Sequence, residues 1–291
     1  MTDTDSSIPF AKLHGLGNDF VVLQQADLTA PLDAATLRAL ADRHTGIGFD
    51  QLLLLQPDEA AGDANWQVQI FNADGSPAQQ CINGMRAVAL WLQRRGLLQS
   101  TITLQLPSQS VQVGSDQPGR FFVELPMPKV CGVLNPCRHA DQVFVKACAV
   151  DAGNPHLVVF SDQPRQHQQQ LGQAMAAPAA AWQRHANLTA DFRALAAVGC
   201  NIGFMCVAPE RPQQVSLCVW ERGSGATRAC GSAACAVAAV LLQAQDFSRI
   251  EVEQAGGALI LERSTDARLR VRGSATHVFS GQFDLDSLQT E

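Results

Sequence analysis

The segment Cys81-x5-Ala87-Val88-Ala89 recurs as Cys230-x5-Ala236-Val237-Ala238, 149 positions further on in a chain of 291 residues. Two other echoes run in the same order. Gly17-Asn18 followed by Val21-Val22 returns as Gly153-Asn154 followed by Val158-Val159, with one residue of slip. Ile47-Gly48-Phe49 returns as Ile202-Gly203-Phe204. Three ordered echoes point to an internal duplication, and a duplicated chain is expected to fold as two similar halves related by a pseudo-twofold axis.

Local patterns say what each half contains. After Cys81, the residues Met85, Val88, Ala89 and Leu92 fall on one face of a helix; Arg94 and Arg95 occupy its last turn, and Gly96 fits its stop. After Cys230, residues 233–242 are apolar all round, as suits a helix enclosed by strands. Strand patterns cover 20–23, 51–55, 67–71, 101–106, 121–125, 157–160, 215–219 and 259–261. The expected fold is α/β (α+β): two pseudo-symmetric domains, each a curled, mostly antiparallel sheet around a central helix. Pro126-Met127-Pro128 reads as the linker, giving domains 1–127 and 128–275. Residues 162–191, rich in Gln and Ala, read as a helix and loop on the surface.

Composition narrows the function classes. Hydrophobic residues make up 46% and charged residues 16%, the balance of a globular enzyme. A net charge of -6 argues against nucleic acid or an anionic membrane as partner, and leaves a small zwitterion open. The apolar run 233–242 is about half of the ~20 residues that a membrane span needs. The first ten residues lack the pattern of a signal peptide, so the expected location is the cytoplasm. Nine cysteines, an odd number, read as free thiols, and their spacing does not suggest a metal site.

Cys81 and Cys230 both follow Gly-containing turns, Asn72-Ala-Asp-Gly-Ser76 and Glu221-Arg-Gly-Ser-Gly225, and both stand where a helix starts. Unpaired N–H groups there lower a thiol pKa and bind a carboxylate. The duplication is expected to set the two helix starts facing one another, with one thiol on each side of a bound α-carbon. Inverting a stereocentre needs a base on one face and an acid on the other, and a thiolate with a thiol supplies both. Other chemistries lack their residues. Neither turn ends in the Gly-Lys-Ser/Thr of a phosphate loop, and Gly15-Leu-Gly17-Asn18 shows no strand before it and no helix after it. Lys12, Lys129 and Lys146 lie outside any Gly/Ser-rich loop that would suit pyridoxal phosphate. No cofactor and no metal are expected.

These residues resemble the diaminopimelate epimerase family across most of the chain. The likeness rests on His14-Gly-Leu-Gly-Asn-Asp-Phe20, Gly46-Ile-Gly-Phe-Asp-Gln51, Phe71-Asn-Ala-Asp-Gly-Ser76, Gly153-Asn-Pro-His156, Glu221-Arg-Gly-Ser-Gly225, Ala229-Cys-Gly-Ser232 and His277-Val-Phe279. The resemblance implies a homodimer and a C-terminal strand, within 276–291, that returns to the first domain. It implies that Cys81 and Cys230 are the acid/base pair, assisted by His156 and Glu221. Backbone N–H groups of Ile82, Asn83, Gly231 and Ser232 would hold the substrate carboxylate. Asn18, Gln51, Asn72, Asn154, Asn201, Glu221 and Arg222 would bind substrate, several of them at the end that does not react. The sequence departs from the family pattern at Ile82, where Gly is usual, and at Ala87, Gly203 and Ala226. A β-branched Ile82 disfavours positive φ and is expected to narrow the pocket mouth. The substrate implied is diaminopimelate. A racemase of histidine or lysine on the same scaffold, and a non-catalytic protein with a thiol redox switch, remain open.

Overall fold

The computed structural model describes residues 7–58, 65–139, 141–178, 180–244, 247–264 and 266–285. The chain opens with β1 (Ser7–Gly15), β2 (Asn18–Gln24), α1 (Ala34–Ala41), β3 (Gln51–Pro57), β4 (Asn65–Asn72), β5 (Pro77–Ala78) and α2 (Ile82–Arg94). It continues through β6 (Ile102–Gln105), β7 (Ser110–Gln117), β8 (Arg120–Leu125), β9 (Lys129–Leu134), β10 (Cys137–His139) and β11 (Gln142–Phe144). Next come β12 (Ala147–Asp151), β13 (Pro155–Phe160), α3 (Pro164–Ala176), α4 (Ala190–Ala196), β14 (Asn201–Ala208), β15 (Arg211–Glu221) and β16 (Gly225–Thr227). The last elements are α5 (Gly231–Ala244), β17 (Arg249–Gln254), β18 (Gly257–Arg263), β19 (Leu269–Ser274) and β20 (Thr276–Asp284). Two compact units form: Met1–Val123 with Gly273–Glu291, and Glu124–Arg272.

Both units are α+β and repeat one ladder. In the first, β20 pairs antiparallel with β1 and β1 with β2; β2 runs parallel to β3, which pairs antiparallel with β4. In the second, β9 pairs antiparallel with β12 and β12 with β13; β13 runs parallel to β14, which pairs antiparallel with β15. Each ladder then steps to a second parallel neighbour, β4 to β6 and β15 to β17. Pairing register fixes which residues correspond. Phe20 lies opposite Gln51 as His156 lies opposite Asn201, and Ile70 opposite Ala78 as Val219 lies opposite Thr227. Gln51 therefore corresponds to Asn201, and Asn72 to Glu221. The echo between Ile47-Gly48-Phe49 and Ile202-Gly203-Phe204 is coincidental: the first run precedes β3, whereas the second lies inside β14.

Each central helix is enclosed for a reason legible in its residues. α2 buries ten of its thirteen residues and packs against β1, β2, β7 and β20. It stops where the chain turns at Gly96, φ 72, with Leu97 N–H bonded back to the Leu92 carbonyl. α5 buries eleven of fourteen, mostly Ala and Val, and those small side chains let β9, β12, β13, β14, β17 and β18 approach. Among the described residues no helix is long and apolar enough to cross a membrane.

Two expectations are corrected here. The 162–191 segment is not confined to the surface. α3 packs on β14 and β15, buries Met175 and Ala176, and sets Gly172 so close to Trp220 that a Cβ would sit 2.8 Å from that ring. Trp182 is buried too, donating from Nε1 to the Met175 carbonyl at 2.8 Å. Small residues do this packing, so the pattern reads as polar. Gly15-Leu-Gly17-Asn18 does have a strand before it, β1, but β2 follows, so the run is a hairpin turn. Leu16 and Gly17 both take positive φ, 57 and 82, as a tight two-residue hairpin demands.

Candidate active site

Asn18 and Asn83 gather with Cys81 at the start of the first central helix, and Asn154, His156, Asn201 and Ser232 with Cys230 at the start of the second. In the first unit Cys81 is the N-cap of α2, and its Sγ accepts from Gly84 N–H at 3.3 Å. The same sulfur lies 3.9 Å from Asn18 Oδ1, which also accepts from Asn83 Nδ2 at 3.4 Å. Asn18 Nδ2 donates to Asp50 Oδ2 at 2.9 Å, and Arg86 Nη2 donates to Asn83 Oδ1 at 2.8 Å. Gln51 and Asn72, paired across β3 and β4, bond to each other at 2.9 Å, and Asn72 Nδ2 reaches Ser76 Oγ at 3.0 Å. Ile82 buries its side chain as the first residue of α2, without positive φ. The expected strain at Ile82 is therefore absent: a helical φ suits a β-branched residue.

In the second unit Cys230 stands immediately before α5, and its N–H donates to Gln254 Oε1 at 2.8 Å. Its Sγ is 3.4 Å from Ser232 Oγ, which is 3.1 Å from His156 Nε2. Asn154 Oδ1, at 2.9 Å, and Asn201 Nδ2, at 3.5 Å, converge on that same nitrogen. Asn201 Oδ1 accepts from Arg222 N–H at 2.8 Å. Arg222 thus joins the cluster through its backbone, while its guanidinium reaches the Gly199 carbonyl at 3.4 Å. Glu221 accepts from Thr227 Oγ1 at 2.5 Å and acts directly on Cys230. Gly231 is buried and Ser232 half-buried in the first turn of α5.

Electrostatics overturn one expectation. A helix start is expected to lower the thiol pKa, yet the Cys230 thiol is pushed well above its ordinary range. Burial is the first cause and the Glu221 carboxylate the second; the Ser232 hydroxyl and Ala233 N–H pull the other way. Cys230 is held as a thiol. Burial alone lowers His156 from 6.5 to about 3, so its imidazole is neutral at pH 7. The half-sites therefore differ: Asn72 and Phe20 stand in the first unit where Glu221 and His156 stand in the second.

Sequence reasoning missed three residues. Asp50 orients Asn18, Arg86 orients Asn83, and Gln254 caps the Cys230 N–H. Asp50 is visible inside Gly46-Ile-Gly-Phe-Asp-Gln51, whereas nothing local marks Gln254, which arrives from β17. Among the described residues no group of three or more His, Cys, Asp or Glu could hold a metal ion.

The chain matches the family model described as Diaminopimelate epimerase over residues 10–126 and 148–278. It is 35% identical to a diaminopimelate epimerase of Acinetobacter baumannii, covering 97% of this chain and 99% of that one. It is 37% identical to one of Xanthomonas oryzae, covering 94% and 96%. Among solved structures its fold is similar to that of a predicted epimerase of Pseudomonas aeruginosa, with a TM-score of 0.68, 18% identity, and coverage of 95% and 99%.

Proposed function

The chain belongs to the diaminopimelate epimerase family, and we propose that it interconverts LL- and meso-diaminopimelate by passing protons through Cys81 and Cys230. An isomerase of the epimerase and racemase type, working through cysteine without a cofactor, is what the family and the fold support. The observation that carries the finer reading is the pair of thiols at corresponding helix starts, one in each unit, each with polar neighbours of its own.

Cys230, held protonated, is the acid, and Cys81 in its thiolate form is the base. Cys81 removes the α-proton and becomes a thiol. The electron pair passes into the substrate carboxylate, held by the N–H groups of Ile82, Asn83, Gly231 and Ser232. Cys230 delivers its proton to the opposite face and becomes a thiolate. The reverse direction exchanges the roles, and the pair titrates as one system. His156 steadies Ser232, and Glu221 keeps Cys230 protonated until the carbanion forms. Because Glu221 acts on Cys230 and Asn18 lies against the Cys81 sulfur, both belong to the reacting end, and recognition of the distal head falls to Arg222 with Asn201 and the amides of Gln51, Asn72 and Asn154. A forked guanidinium suits a distal carboxylate. On this reading the enzyme is a cytoplasmic homodimer that supplies lysine and peptidoglycan synthesis.

The test is kcat/KM for LL-diaminopimelate, lysine and histidine under one condition. Diaminopimelate should exceed both by at least about a hundredfold, because buried polar groups left unpaired cost about 1–3 kcal/mol each. The exposed Ala226, where the family usually has Glu, favours the second reading, a sister racemase. A faster rate with lysine or histidine would establish that reading and remove the distal assignments, with both thiols retained.

A further inference from the structure

The hydrogen bonds around Cys81 form a relay whose sense is fixed at both ends. Arg86, fully buried in α2, can only donate, and it takes Asn83 Oδ1. Asn83 must then turn Nδ2 toward Asn18, where Oδ1 receives it at 3.4 Å. At the other end the Asp50 carboxylate can only accept, and it takes Asn18 Nδ2 at 2.9 Å. Neither amide can flip without setting donor against donor or acceptor against acceptor. What Asn18 shows to the Cys81 sulfur, 3.9 Å away, is consequently a carbonyl oxygen. That oxygen favours S–H over the thiolate, while Gly84 N–H, on the helix side, favours the thiolate.

The charges bordering the relay are few and held in place. Arg43 bonds Asp50 and Asp19, each at 2.8 Å, and Asp19 also pairs with Lys12 at 2.6 Å. Asp50 is thus bonded to Arg43 on one side and to Asn18 on the other.

We propose that Asp50 and Arg86 are positioning residues that fix the orientation of the Asn18 and Asn83 amides, so that Cys81 meets a hydrogen-bond acceptor. The proposal rests on the reading of Cys81 as a working thiol, but thiol alkylation reports on it without turnover. A failed substrate assignment would leave the outcome below intact.

The experiment follows carbamidomethylation of Cys81 by iodoacetamide in the folded full chain between pH 6 and 10, read by peptide mass spectrometry. In Asp50→Ala the Asn18 amide loses the acceptor that holds its Nδ2 and is kept in place only by the long 3.4 Å contact from Asn83, so it can rotate at a small cost and offer N–H to the thiolate. The pH of half-maximal reactivity should fall by about half a unit. In an Asn18→Ala background the same Asp50→Ala change should move it by less than about 0.2 units, because the link is already cut. An equal fall in both backgrounds would mean that the Asp50 charge acts directly on the sulfur, and would overturn the proposal. So would no shift, or a rise, in the single variant. If circular dichroism shows Asp50→Ala unfolded, Asp50→Asn takes its place; its amide accepts either orientation of Asn18, and the same outcomes apply.

Discussion

Replacing Ser232 with alanine removes a hydroxyl that stands between Cys230 and His156. Its Oγ lies 3.4 Å from Cys230 Sγ and 3.1 Å from His156 Nε2. Burial and Glu221 push the Cys230 thiol up, and this hydrogen bond pulls it back. A hydrogen bond to a charged group contributes about 1.5 kcal/mol, and about 1.4 kcal/mol equals one pH unit. In Ser232→Ala the Cys230 thiol should ionise about one pH unit higher. His156 keeps Asn154 at 2.9 Å, so the ring stays in place, and the N–H of residue 232 survives. We expect kcat to fall about tenfold at neutral pH with KM nearly unchanged. The assay is the pH dependence of Cys230 alkylation beside steady-state kinetics. Glu221→Gln removes a cause of opposite sign and should shift the alkylation profile downward. If Ser232→Ala lowers the profile, or both variants move it the same way, the electrostatic reasoning for Cys230 is refuted.

Three further outcomes are expected. His156 has a folded-state pKa of about 3 against an ordinary 6.5, so burying it neutral costs nothing above 6.5 and progressively more as pH falls toward 3. Melting curves should show that decline, and His156→Gln should flatten it; an unchanged slope between pH 6.5 and 3 would count against a buried neutral imidazole. Gly172→Ala forces a methyl against Trp220 at 2.8 Å, and should destabilise the second unit by about 1–3 kcal/mol, read as a Tm several degrees lower. Gln254→Leu strands the Cys230 N–H in a buried place, and should cost about 1–3 kcal/mol in denaturant titration.

Much of this architecture is legible in the order of the residues. Recurrence marks Cys81 and Cys230, and α2 is marked by its apolar spacing and its Gly96 stop. The features that escape such a reading are set by tertiary partners. β1 carries a buried lysine, Lys12, that no strand pattern would admit; Asp19 neutralises it. α3 looks like a solvated helix because Gly172, Ala176 and Gln168 do its packing; Gln168 Nε2 donates to the Val219 carbonyl. The direction of the Cys230 shift is hidden because Glu221 acts on the thiol from β15, nine positions earlier in the chain. The echo of Ile47-Gly48-Phe49 misleads because identity in three residues does not report register. Strand pairing does.

The central claim is that two different thiols serve the two faces of one α-carbon. The most direct measurement is the fate of the α-hydrogen when the reaction runs in D2O and is stopped before a tenth of the substrate has turned over. A thiol has one proton, so the base can return to the substrate only what it removed, while the opposite thiol delivers deuterium from solvent. We expect the inverted product to carry deuterium at the α-carbon and the remaining substrate to keep its hydrogen, with Cys81→Ala and Cys230→Ala both folded and unable to invert. Product that retains the original hydrogen, or near-normal turnover by either alanine variant, would contradict the two-thiol account.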